Sequence, residues 1–156
     1  MHIHLICIGN KMPSWINDGF QEYAKRMPSE CQISLIELPA AQRTKNTDLK
    51  RAIADEGKRM LKAIPKNATV VALDVVGRQH STETLSEELS QWLSSGQDIA
   101  LLIGGADGLS ADCLSKANSK WSLSKLTFPH PLVRVILSEQ IYRAWSLLKK
   151  HPYHRA

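Results

Sequence analysis

Behind Asp98 the chain runs through Ile99, Ala100, Leu101, Leu102 and Ile103 without a polar residue, then breaks on Gly104-Gly105. Successive side chains of a strand point to opposite faces, so a strand with this sequence has no face to offer water. Such a run, Asp98 to Ile103, fits a central parallel strand covered by helices on both sides, and that requirement sets the class: an α/β domain. The rest of the chain supplies the other parts. His2 to Ile8 is an apolar run closed by Gly9-Asn10, and Gln32 to Leu38 is a second strand stopped by Pro39. Thr69 to Asp74 reads as a third strand with Gly77 in the turn behind it, and Leu123 to Thr127 as a last short one.

Helical spacing fills the gaps. Trp15, Ile16, Phe20, Tyr23 and Met27 recur on one face between Ser14 and Met27, with Pro28 as the stop. Leu49, Ile53, Met60, Leu61 and Ile64 do the same from Asp48 to Ile64, ahead of Pro65-Lys66-Asn67. Ser81 can cap a helix built on Leu85, Leu89, Trp92 and Leu93 that ends at Gly96. Ser110 caps a short helix to Ala117, and Pro131 opens a final one that runs to about Lys150. Strand and helix alternate throughout, which predicts a mainly parallel sheet flanked by helices, and 156 residues suit a single domain over 1–156.

In sheets of this kind, ligands bind beyond the carboxyl ends of the strands, here Leu73-Asp74, Gly104 and the turn from Leu126 to Pro129. The run Gly104-Gly105-Ala106-Asp107-Gly108 lets the backbone approach a ligand closely, or simply makes a tight turn. Its spacing is neither the dinucleotide G-x-G-x-x-G nor a P-loop, so a phosphate-cradling NTPase is not expected. Pro129 and Pro131 stiffen the stretch from Ser124 to Pro131, whose unpaired main chain suits an adenine edge or a plain corner. His130 between them reads as a structural residue.

Twenty Lys and Arg against 15 Asp and Glu give a net charge of +5, which permits a polyanionic partner without requiring one. Cys7, Cys31 and Cys113 are an odd number without C-x-x-C spacing, which argues against disulfides and a zinc site and for the cytoplasm; no metal is expected. No basic-then-apolar leader and no run of 18 apolar residues occurs, so neither secretion nor a membrane span is expected. The last helix is apolar on more than one face, as for a two-fold homodimer or for a helix sandwiched within one chain. The end, His151-Pro152-Tyr153-His154-Arg155, is either a frayed tail or a set of groups that stack on bases, meet phosphate and move protons.

Taken in order, Ile8-Gly9-Asn10-Lys11-Met12, Ile36-Glu37-Leu38-Pro39, Ile103-Gly104-Gly105-x-x-Gly108-Leu109, Leu126-Thr127-x-Pro129-His130, Arg134-Val135, Glu139-Gln140-x-Tyr142-Arg143-Ala144 and Tyr153-His154 resemble the RlmH family of SPOUT-class methyltransferases. The resemblance covers essentially the whole chain. It implies an α/β fold with a C-terminal trefoil knot, a homodimer, and methylation of N3 of a pseudouridine in 23S rRNA with S-adenosylmethionine. Topology rules alone would have given an unknotted doubly wound sheet. By similarity the cofactor contacts are Leu73, Gly104, Leu123, Ser124, Lys125, Leu126, Thr127 and Phe128. For the chemistry we assign Tyr153 and His154 to hold the base, His154 and Arg155 to take the N3 proton or its charge, and Arg134 or Arg143 to grip phosphate. With no appended RNA-binding module, the expected substrate is 23S rRNA within the large subunit or whole ribosome. The competing readings are ribose 2′-O methylation, an RNA-binding assembly protein without catalysis, and a nucleotide-binding α/β enzyme.

Overall fold

One sheet of five parallel strands organises residues 1–155, the part described by this computed structural model. Its strands are β1 (His2–Ile8), β2 (Gln32–Leu38), β3 (Thr69–Gln79), β4 (Ile99–Ile103) and β5 (Ser119–Ser122), in the spatial order β2-β1-β4-β3-β5. The all-apolar run is β4, and every one of its side chains is buried. It lies between β1 and β3, with Ile99 level with both Ile3 and Thr69.

Alternation along the strands sorts the core into two layers. Ile3, Leu5, Cys7, Ile99, Leu101 and Ile103 face three helices, α1 (Ser14–Ala24), α3 (Thr82–Ser95) and α5 (His130–Leu148). Ile6, Ile8, Ala100 and Leu102 face α2 (Leu49–Ala63) and the short α4 (Ala111–Lys116). The helices start where capping chemistry puts them. Asp48 accepts from the amides of Lys50 and Arg51, Ser81 from Thr84 and Ser110 from Cys113. Gly96 closes α3 in the left-handed region at φ 73°. Cys7, Cys31 and Cys113 are free and buried, and burial pushes the Cys7 thiol up to about 12.

The structure differs from the sequence expectations in three places. Helix α1 ends at Ala24 rather than Met27, because tight turns close it: the amides of Arg26 and Met27 donate to the carbonyls of Tyr23 and Ala24. Strand β3 continues to Gln79, so Gly77 is not in a turn. The strand is bulged between Leu73 and Arg78, and Gly77 lies against its neighbour so closely that an added Cβ would sit 2.6 Å from the Trp121 carbonyl carbon. The last strand is Ser119–Ser122, and the expected strand from Leu123 to Thr127 is irregular. As in the sandwiched reading of the last helix, α5 packs between α1 and α3 as well as on the sheet. Its wide apolar surface is therefore mostly covered within one chain: Val135 lies against Gly19 of α1, and Leu132 and Ile136 are half-buried. No helix of the described residues is long and apolar enough to cross a membrane, and among them no His, Cys, Asp and Glu cluster suits a metal ion.

Candidate active site

Beyond the carboxyl ends of β3, β4 and β5 the sheet opens into a cleft of about 610 Å³. Topology makes it. The chain leaves β3 for α3 on one face and leaves β4 for α4 on the other, so two neighbouring strands shed their connections in opposite directions. Leu73, Ile103, Trp121, Leu123, Phe128 and Val133 give the cleft apolar walls, and Asp74, Gly104, Gly105, Thr127 and His130 add polar edges.

The glycine turn serves both local readings at once. Gly105 and Gly108 form a bridge, the Gly108 amide donates to the Gly105 carbonyl at 3.1 Å, and Gly108 has φ 80°. A Cβ on Gly104 would lie 2.5 Å from the Gly108 carbonyl carbon, so the turn closes only because that side chain is absent. The same turn lines the cleft through Gly104, Gly105, Ala106 and Gly108. Across from it, regular pairing stops at Ser122. The Ser122 hydroxyl donates to the Ser124 carbonyl, and the Ser124 hydroxyl accepts from the Leu126 amide, both at 3.0 Å. The chain from Leu123 to Phe128 is thereby held with its main chain outside any ladder. Leu73, Gly104, Leu123, Ser124, Leu126, Thr127 and Phe128 all reach the cleft, whereas Lys125 does not line it.

His130, read from sequence as structural, is on the cleft wall, and its Nδ1 is buried without a partner among the described residues. Burial, then the nearby Arg134 charge, holds its pKa below the ordinary 6.5. Arg134 itself is not a phosphate grip. It has no exposed surface, donates to Glu37 at 2.7 Å and to the Gly9 carbonyl at 2.7 Å, and so ties α5 to the ends of β1 and β2. Arg143 is also engaged: its guanidinium bonds Glu139 and lies 5.0 Å from the centre of the Tyr153 ring.

The tail is folded. Pro152–His154 form a 3-10 turn, and the Tyr153 hydroxyl donates to Glu139 at 2.9 Å while its ring packs 4.7 Å from that of Tyr142. Burial and that carboxylate push the Tyr153 phenol far up, so it stays protonated and acts as an anchor. The cleft is at the start of α5 and Glu139 is nine residues along, about 14 Å at 1.5 Å per residue. Within one chain, therefore, Tyr153, His154 and Arg155 are not brought to the cleft, and none of them lines it.

A cluster with no local sequence signature flanks the glycine turn. Arg43, in the connection from β2 to α2, bonds Glu56 of α2 at 2.7 Å and Asp107 of the turn at 2.7 Å.

Comparison with known proteins agrees with this architecture. The family described as "Predicted SPOUT methyltransferase" matches residues 1–154. A protein named ribosomal RNA large subunit methyltransferase H from Methylococcus capsulatus is 56% identical over 99% of this chain and 100% of its own length. Its namesakes from Thioalkalivibrio sulfidiphilus and Saccharophagus degradans are 59% and 55% identical, each over 99% of this chain and 99% and 100% of their own lengths. With the sheet, the glycine turn and the strand-end cleft all in place, the chain belongs to the SPOUT methyltransferase family, alongside these large-subunit rRNA methyltransferases H.

Proposed function

We propose that the protein transfers a methyl group from S-adenosylmethionine to N3 of a pseudouridine in 23S rRNA, acting in the cytoplasm on the large subunit or the whole ribosome. The observation that carries the cofactor assignment is the charge of the cleft. Asp74 and His130 are the only ionisable side chains lining it among the described residues, and neither a Lys nor an Arg does. Phosphates of a nucleotide would need cations or a cradle of amides, whereas a sulfonium and an ammonium group are better served by one carboxylate and a neutral imidazole. The apolar walls and the free main chain from Leu123 to Phe128 suit an adenine, which asks for stacking and edge hydrogen bonds rather than charge.

When bound, S-adenosylmethionine supplies an electrophilic methyl group. The protein's part is to hold that methyl in line with the attacking nitrogen and keep water out, for which Leu73, Leu123 and Phe128 provide the walls. N3 of pseudouridine carries a proton between two carbonyls, so its removal needs a base or a positive field. His154 and Arg155 fit these roles, but from a second copy of the chain, since their own cleft is too far along α5. A homodimer is thus part of this reading, with the half-buried Leu132 and Ile136 available as contact surface. So is the C-terminal trefoil knot, which joins the Gly104 turn and the loop from Leu123 to Phe128 in one site. Tyr153 holds the tail in place.

The experiment is methyl transfer from labelled cofactor to free rRNA, separate subunits and whole ribosomes, with mass spectrometry of the modified nucleotide. Methyl on N3 of a pseudouridine is expected; methyl on a ribose oxygen, or cofactor binding without transfer to any RNA, would overturn the assignment. Truncation after Lys150 should abolish transfer and leave cofactor affinity intact. Full activity of the truncated chain would remove the tail from the mechanism.

A further inference from the structure

We propose that Arg43 is a positioning residue for the cofactor, a latch that holds the Gly104–Gly108 turn in its binding shape. The inference rests on the reading of the cleft as an S-adenosylmethionine site.

The turn needs holding. Its own bridge is short, and its outer corner, Ala106 and Asp107, is exposed. From the sheet side it is braced by Ile8, whose Cγ2 is 3.1 Å from where a Gly105 Cβ would be. From the outer side the only tie among the described residues is Asp107, whose carboxylate accepts from Arg43 Nε at 2.7 Å. Asp107 does not line the cleft although its neighbours on both sides do, so its carboxylate faces the latch rather than a ligand.

Arg43 is fixed at its other edge far more firmly than a surface tether requires. Its two terminal nitrogens donate to the two oxygens of Glu56 at 2.7 and 3.1 Å, and one of them also to the Ala41 carbonyl at 2.9 Å. Glu56 is only 2% exposed and accepts in addition from the Ala41 amide at 2.9 Å. Burial alone would raise the Glu56 pKa, yet Arg43 and the Ala41 amide hold it below the ordinary carboxylate range. A planar guanidinium can present one edge to Glu56 and Nε to Asp107 at once, which an ammonium cannot. The arrangement thus runs from a buried anchor on α2, through an otherwise irregular connection, to the backbone that touches the cofactor.

Releasing Asp107 lets the turn populate other shapes, and apparent affinity falls by the fraction of time it spends in them. The test is calorimetric titration of S-adenosylmethionine into Asp107→Asn, Arg43→Lys and the double variant, with steady-state kinetics on ribosomes. Each single variant should bind the cofactor about tenfold more weakly and raise its KM accordingly, with kcat at saturating cofactor within about twofold of the original. The double variant should be no worse than Arg43→Lys alone, because the guanidinium bridge from Glu56 to Asp107 is already broken there. Asp107 is at the surface, so Asp107→Asn keeps the test informative even if a change at Arg43 harms folding. Unchanged affinity in Asp107→Asn, additive losses, or a fall in kcat at constant KM would overturn the latch. Failure of the unaltered protein to bind S-adenosylmethionine is a different result: it overturns the cofactor reading itself and the latch with it.

Discussion

Arg134 shows how a single residue can be misjudged from its type. A guanidinium on the last helix of a basic chain suggests phosphate, yet this one is wholly buried and spent on Glu37 and two backbone carbonyls, of Ile8 and Gly9. A buried charge is tolerated only while its partner stands, so Glu37→Gln should cost about 3 kcal/mol in urea unfolding. Cofactor affinity measured on the folded fraction should stay as it was. A cost below half that figure would mean that the carbonyls alone satisfy the guanidinium. The histidines make a second expectation. His2, His80 and His130 all have pKa values lowered below the ordinary 6.5, each chiefly by burial. Below 6.5 the unfolded chain binds protons at these imidazoles that the folded chain refuses, so their contribution is full above 6.5 and is lost as pH falls through the lowered folded values. Glu56, held below its ordinary 4.5, adds a further loss in stronger acid. Melting temperature followed by calorimetry should therefore decline on acidification from 6.5, and His130→Gln should flatten part of that decline. A melting temperature that rises with acid would contradict the assignment of these half-buried histidines as neutral in the folded chain.

Among the elements, β5 carries the largest consequence for the site. It brings Trp121 and Ser122 to the cleft and then releases the chain into the irregular stretch behind it, and Gly77 of β3 is what allows it to lie so close. Gly77→Ala would place a Cβ 2.7 Å from the Trp121 nitrogen as well as against its carbonyl carbon. Backbone cannot step aside as a flexible side chain does, so the change should cost on the order of 1–3 kcal/mol and weaken cofactor binding together with stability. Loss of stability with cofactor affinity intact would show that the loop from Leu123 to Phe128 keeps its shape without β5. The same element marks where the sequence was legible and where it was not. Strands β1, β2 and β4 and the caps at Asp48, Ser81 and Ser110 follow from local chemistry, and the strand-end rule located most of the cleft. Strand β5 did not, because Ser119-Lys120-Trp121-Ser122 is a polar edge strand paired on one side only. The strand was expected instead over Leu123 to Thr127, where Leu123 and Leu126 line the cleft outside any ladder. Arg43 and Asp107 are 64 residues apart and Arg134 and Glu37 are 97, so no window of sequence contains either pair.

At the scale of the whole molecule, α5 separates the cleft from the C-terminal tail. The cleft opens at its first turn, while the tail folds back on Glu139 and Tyr142, at and beyond its middle, where the Tyr153 hydroxyl and ring hold it. If His154 and Arg155 act on the substrate at all, they act at the cleft of another copy, so each active site is shared between two chains. This can be tested without a structure of the complex. Gly104→Val disables the cleft, since even a Cβ there meets the Gly108 backbone, and truncation after Lys150 removes the tail. Each altered chain alone should be inactive on ribosomes. Co-expressed in equal amounts, they pair at random, so about half the dimers are mixed, and each mixed dimer joins one intact cleft to one intact tail. Activity should then return to about a quarter of the original per chain. A mixture no more active than its separate components, from a preparation shown by tagging to contain mixed dimers, would confine each site to one chain and require the tail to unfold from Glu139 to reach it.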